Sequence, residues 1–205
     1  MHGAIRAGDP VAFRALYQAH HNVVYAHAYR VTGDWAASED IVSLTFLEAW
    51  RLRERLRDEG ETPLPWLMGI AINVLRNRSR AARRHRHAMA RSPARDDVPD
   101  IADAVVTRID DGERLAAARA ALSRLRRTDR EIFLLCVCSE LTYAEAAHAL
   151  DLPVGTVRSR LSRARVRLRV LAEEELRSMR APFVPRAAIA VHPAPVPTIL
   201  VEPTR

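Results

Sequence analysis

The chain has no lysine: all 32 of its basic residues are arginine, against 25 acids, for a formal net charge of +7. The charge favours an anionic partner such as nucleic acid and says little about fold. Lysine avoidance beside heavy alanine use reads as GC-rich coding bias, so no functional weight falls on it. Cysteine is scarce too. Cys136 and Cys138 stand two apart in an apolar helical run, and residues at i and i+2 do not face each other on a helix, which argues against a disulfide or a metal site. The expected state is a pair of buried, reduced thiols in a cytoplasmic protein. No apolar run approaches 18 residues and the N-terminus carries no signal-peptide pattern, so neither a membrane nor export is expected. There is no Ser/His/Asp set, paired carboxylate, metal cluster or glycine-rich phosphate loop. The chain is therefore expected to be no enzyme and to need no cofactor.

What is present begins at residues 155–169, GTVRSRLSRARVRLR. Six arginines (158, 160, 163, 165, 167 and 169) fall in this stretch, and no acid lies between Asp151 and Glu173. At 100° per residue, Val157, Leu161, Ala164, Leu168 and Leu171 lie within roughly 80° of one another, so a narrow apolar stripe docks the helix and its remainder faces outward. Upstream, Thr142-Tyr143-Ala144-Glu145 has the form of a capping box opening a short helix through Leu150. Asp151-Leu152-Pro153 breaks it. Short helix, tight break and basic second helix spell a helix-turn-helix, whose second helix ordinarily enters a DNA major groove.

Alternating strand patterns do not persist anywhere, so the chain reads as all-α. Asp9-Pro10 starts a helix that Gly33 ends. A second is expected from about Trp35 to Leu56, and a third from Thr62-Pro63 to about His87. Residues 96–113 then hold seven acids and Pro99, the composition of a flexible acidic linker. Helices resume near Glu113 to Leu125, Asp129 to Ser139, Thr142 to Leu150 and along the arginine helix to about Met179. Six prolines after Ala181 mark a tail that does not pack as helix. This organises the chain as two small helical domains, 5–90 and 112–179, with a linker at 91–111 and a Pro-rich tail at 180–205.

The second helix is apolar nearly all round. A three-helix domain of this size covers about half of such a helix, so Val42, Phe46, Leu47 and Trp50 either await a protein partner or lie under a fourth element. On the third helix, with Trp66 at 0°, Asn73, Asn77, Arg80 and Arg84 fall within about 40° of that line, while Leu67, Ile70, Ala71 and Val74 occupy roughly 40–140°. Between Glu61 and Asp96 there is no acid, against eight arginines from Arg76 to Arg95. Arginines bind backbone phosphate and amides read exposed base edges, so this is a second nucleic-acid surface or, more plainly, a solvated charged face.

Taken together these segments resemble the extracytoplasmic-function (ECF) sigma factors of bacterial RNA polymerase, over about residues 9–175. SEDIVSLTFLEAWR is similar to the core-polymerase-binding helix of sigma region 2, and PWLMGIAINVLRNRSRAARR to the segment that melts and reads the minus-10 element. The stretch from Leu122 to Arg169 is similar to region 4, which reads the minus-35 element. The resemblance implies polymerase contacts at Asp40, Val42, Phe46, Leu47 and Trp50. It implies a flipped minus-10 base at Asn73, with Arg76 and Asn77 beside it; Arg80 and Arg84 join this minus-10 set by their spacing on the same helix face. It implies minus-35 contacts at Thr156, Arg158, Ser159, Ser162 and Arg163, with Arg165 on phosphate; Trp66 would anchor its helix. Where the family usually has a Gln-Glu pair after Asp40-Ile41-Val42, this chain has Ser43-Leu44. Core polymerase and promoter DNA are the implied partners, and members are often held by an anti-sigma factor. The linker would run near the RNA path of the polymerase or serve as a solvated spacer. A polymerase-independent helix-turn-helix regulator, dimerising through the N-terminal half, is the alternative; the basic face of the third helix is the feature it does not need.

Overall fold

A computed structural model describes residues 1–57, 62–89 and 109–180, and among them every regular element is helical. The order is α1 (His2–Arg6), α2 (Pro10–Thr32), α3 (Trp35–Arg51), a 3-10 turn (Arg53–Arg55), α4 (Leu64–Met89), α5 (Ile109–Arg124), α6 (Arg127–Phe133), a π-helical turn (Leu134–Cys138), α7 (Tyr143–Leu150) and α8 (Val154–Arg180). The expected Pro-rich tail and most of the expected acidic linker lie outside the described residues.

Local chemistry sets the helix ends. Asp9 accepts a hydrogen bond from the Val11 amide at 2.9 Å with Pro10 at the first helical position, and Gly33 closes α2 at φ 71°, a conformation a side chain would disfavour. Asp34 caps α3 through the Ala37 amide at 2.9 Å. The capping box at α7 is complete: the Glu145 amide donates to Thr142 Oγ1 at 3.2 Å, and the Thr142 amide donates to Glu145 Oε2 at 2.7 Å. Asp151 ends α7 in the left-handed region, and the Pro153 carbonyl accepts from Thr156 and Val157 as α8 begins.

Three boundaries differ from the sequence reading, the first being the start of α5 at Ile109 rather than near Glu113. The second helix stops at Arg51 rather than running to Leu56, because the chain tightens into the 3-10 turn and Leu56 turns into the core, 3% exposed. The stretch after Asp129 is α-helical only to Phe133 and then widens into a π turn, with Leu134 and Leu135 buried. α1 was not expected at all; too short for periodicity to reveal, it buries Ile5 completely.

One hydrophobic cluster runs through both halves of the chain, from Ile5, Leu16 and Phe46 through Leu67, Met68 and Ile72 to Ile132, Leu150 and Leu161. α4 lies at its centre. Its Leu67, Ile70 and Ala71 pack as their spacing predicts, but Met68, Ile72 and Leu75 on the opposite side are buried as well. α4 also packs on α7, a helix some 80 residues later in the chain, while Leu75 sits in a separate cluster with Ala28 and Ile41. A smaller cluster of Ala121, Leu125, Ala164 and Leu171 fastens the far part of α8 to α5.

His27 lies within the core, 1% exposed, and neither ring nitrogen has a hydrogen-bond partner among the described residues. Burial, with Arg30 nearby, pushes its pKa down to about 4 from the usual 6.5. A histidine held neutral when folded takes up a proton more readily when unfolded. Its contribution to stability is therefore whole above about pH 6.5 and declines as pH falls towards 4, by roughly 3 kcal/mol in all. Urea midpoints measured between pH 8 and pH 4 should fall more steeply for the wild type than for His27→Leu. Parallel profiles would refute this.

Candidate nucleic-acid and polymerase interfaces

α8 presents the first surface. Val157, Leu161, Ala164 and Leu171 are buried and Leu168 is half-buried, so the predicted stripe is the docked face. Arg158, Ser159, Ser162, Arg163 and Arg165 are exposed together on the outer side, with Thr156 half-buried at the start. Arg158 reaches over the Tyr143 ring at 5.9 Å, and Arg163 Nε donates to the Ser159 carbonyl at 3.3 Å, contacts that steady the guanidinium groups without covering them. Arg160 is different. Its Nη1 donates to Asp129 at 3.0 Å, which ties α8 to α6 and takes this arginine out of the reading set.

The second surface is an open cleft of about 710 Å³ between α3 and α4. It brings Asn73, Asn77 and Arg84 together with Leu44 and Leu47. Arg80 is exposed outside the cleft lining. Arg76 is turned to the other side: Nε donates to Glu131 Oε1 at 2.9 Å and Nη2 to Oε2 at 2.6 Å, a bidentate pair with α6. The Glu131 hydrogen bonds hold the Arg76 guanidinium further towards its charged form. Only a long contact, 3.5 Å from Nη1 to Asn73 Oδ1, links it to the amides.

Along α3 the residues implied as polymerase contacts separate. Leu47 is 49% exposed, and Leu44, where the usual pattern is broken, is 48% exposed. Asp40 is exposed and meets Arg78 at 3.3 Å, a surface pair worth little. Val42 and Phe46, in contrast, are 7% and 6% exposed. Phe46 packs against Phe13 and Tyr17, and Phe13 stands edge-on to Trp50 at 5.1 Å. Of the two readings left open for this helix, cover from the chain itself therefore holds for Val42 and Phe46, while Leu44 and Leu47 stay uncovered.

Sequence reasoning missed Glu131, a single acid in an amphipathic turn with nothing in its spacing to announce a partner 55 residues away. It also missed the close approach at Gly69, where a Cβ would lie 2.8 Å from the Ala149 carbonyl oxygen of α7. Cys136 and Cys138 are half-buried rather than buried as expected, and that burial pushes both thiols up. Among the described residues no group of His, Cys, Asp and Glu could hold a metal ion, and no helix is long and apolar enough to cross a membrane.

Residues 16–85 match the sigma-70 region 2 family and residues 115–168 the sigma-70 region 4 family. The ECF RNA polymerase sigma factor SigL of Mycobacterium tuberculosis is 31% identical over 168 residues, covering 82% of this chain and 93% of that protein. The RNA polymerase sigma factor NccH of Alcaligenes xylosoxydans xylosoxydans is 32% identical over 174 residues, covering 81% and 89%. Among solved structures, the sigma factor RpoE from Bartonella quintana, in complex with the anti-sigma factor NepR, aligns with TM-score 0.60 and 26% identity over 79% of this chain and 97% of that one. CnrH, in complex with the cytosolic domain of CnrY, aligns with TM-score 0.60 and 26% identity over 84% and 95%. The chain belongs to the ECF sigma factors of the sigma-70 family. It is a transcription initiation factor that works with core RNA polymerase at promoter DNA.

Proposed function

We propose that α8 reads the minus-35 duplex with Arg158 and Arg163 on base edges, Thr156, Ser159 and Ser162 around them and Arg165 on phosphate, while the α3–α4 cleft holds an extruded minus-10 base against Asn73. Asn77 and Arg84 flank that base, and Arg76 and Arg80 take the strand's phosphates. Leu44 and Leu47, with Asp40 and the half-buried Trp50 at the ends of the strip, dock on the polymerase; Val42 and Phe46 shape the helix from beneath. The carrying observation is that cleft, in which the amides of Asn73 and Asn77 stand beside uncovered leucines.

No chemical step is involved, and the chain acts as a non-enzymatic factor in the cytoplasm, where polymerase and chromosome meet. Extruding a base costs a few kcal/mol, which contacts to its edge and to the flanking phosphates offset, so the open promoter is favoured over the closed duplex. An anti-sigma factor is a further partner of this reading, supported by the one bound to the RpoE structure.

Run-off transcription with core polymerase and this chain, followed by mapping of start sites, tests the assignment. Defined start sites are expected; tight duplex binding without polymerase and no start-site choice would instead identify a freestanding regulator. Asn73→Ala is expected to leave minus-35 duplex binding intact and to slow promoter opening. Unchanged permanganate reactivity of the minus-10 strand would contradict that role.

A further inference from the structure

A small cavity of about 70 Å³ lies where α2, α4 and α6 meet. That is several times the space one water needs, about 10 to 15 Å³, and suits a single small polyatomic ion rather than a whole nucleotide. Its lining runs from His27, 1% exposed, to Ser79 and Arg127, which are open to solvent. Arg76, Arg130 and Glu131 complete the polar wall, and aliphatic side chains of α2, α4 and the π turn fill in between them.

Three guanidinium groups share this wall with one carboxylate. Glu131 gives both oxygens to Arg76, so those two charges cancel, and its approach to Arg127 is a long 3.8 Å. Arg130 donates to the Ser123 carbonyl at 3.4 Å and pairs with no acid among the described residues. The wall therefore keeps an excess of positive charge in a partly desolvated setting, where an anion is attracted more strongly than in open water. His27 adds direction. Its ring is neutral in the folded chain, so it offers one N–H donor and one lone-pair acceptor, and neither nitrogen has a protein partner among the described residues. Buried polar atoms left so are costly and uncommon in native proteins. Phosphate suits either ring nitrogen, since a P–O oxygen accepts from the N–H and a P–OH donates to the lone pair. Sulfate at neutral pH offers only acceptor oxygens.

We propose that this cavity is a phosphate site: a tetrahedral phosphate, free or as the terminal group of a larger molecule, is held at the rim by Arg127, Arg130 and Ser79, with the His27 ring against it at the floor. The site uses neither the outer face of α8 nor the α3–α4 cleft, so it stands or falls independently of the promoter reading. By mass action, occupancy raises the stability of the folded chain.

Isothermal titration of the full chain with inorganic phosphate in a chloride buffer, paired with NMR of the histidine rings, tests the site. Saturable one-to-one uptake is expected, with the His27 ring resonances, assigned through His27→Gln, moving along the same isotherm. Sulfate should bind about tenfold more weakly, the loss of one hydrogen bond to the ion. Arg130→Gln and His27→Gln should each weaken phosphate by about tenfold or more while the circular dichroism stays that of the wild type. Arg167→Gln, which removes the same charge from the exposed side of α8, should leave phosphate affinity unchanged. If His27→Gln does not fold, the rim substitution and the His27 resonances of the wild type decide. Adenosine monophosphate separates the two sources: tighter binding than inorganic phosphate through the same residues assigns the site to a terminal phosphate, and weaker binding assigns it to the free ion. No heat and no movement of the His27 resonances, binding that survives Arg130→Gln, or an equal loss in Arg167→Gln would overturn the site. Sulfate binding as tightly as phosphate would overturn the pairing with His27. Failure of the chain to direct polymerase would leave these titrations standing and would remove only the sigma-factor reading.

Discussion

Arg158→Ala and Arg163→Ala are each expected to weaken binding of the holoenzyme to a minus-35 duplex by about 1 to 3 kcal/mol where the guanidinium contacts guanine, roughly five- to 150-fold. Both side chains are exposed and neither pairs with an acid among the described residues, so their loss leaves the packing alone. Binding isotherms across a salt series separate the two kinds of contact. A base contact changes discrimination between promoter sequences, whereas a phosphate contact weakens all sequences alike and lowers the salt slope by about 1. Arg160→Ala is the informative control: it breaks the 3.0 Å pair with Asp129 and should cost helix placement rather than sequence preference. Wild-type affinity in both Arg158→Ala and Arg163→Ala would remove α8 from the minus-35 interface.

Leu161→Ala should unfold what those substitutions spare. Leu161 is 1% exposed and lies in the cluster that joins both halves of the chain. Truncating a buried leucine costs about 2 to 5 kcal/mol, the lost transfer energy plus the cavity left behind. That is a large share of the roughly 5 to 15 kcal/mol that a domain has in total. A urea melt followed by circular dichroism should show the midpoint falling accordingly. Val166→Ala, at a site 63% exposed on the same helix, should stay within about 0.5 kcal/mol of wild type. Equal midpoints for the two variants would mean that α8 is not docked through its apolar stripe.

These two outcomes trace back to what a sequence can and cannot carry. The stripe Val157-Leu161-Ala164-Leu171, the Thr142 capping box and the Asp9-Pro10 to Gly33 helix all depend on neighbours within a few turns, and periodicity or capping chemistry reveals such features directly. The buried second face of α4 does not. Met68 and Ile72 lie in the cluster that spans both halves and Leu75 lies against Ala28 and Ile41, and no local pattern states which remote element will lie there. The same reason hides Glu131 and the absent side chain at Gly69. For the candidate site, the exposed arginines of α8 and the amides of α4 were legible from charge and spacing, whereas the division of α3 was not. Val42 and Phe46 look as available as Leu47 in the sequence, and only burial in the core, for Phe46 against Phe13 and Tyr17 of α2, removes them. The π turn at Leu134–Cys138 has no signature in residue type that distinguishes it from ordinary helix.

α8 carries its anchor and its reading residues on one unbroken rod, so the angular phase between the two is fixed by residue count alone. A single residue inserted between Val157 and Arg158 would leave Leu161, Ala164 and Leu171 seated, yet would swing Thr156 and everything before it by about 100° around the axis. Evolution can therefore exchange the outward side chains one by one to retarget the protein, but it cannot lengthen or shorten this segment by one without re-aiming its start. Indels here should be far rarer than substitutions.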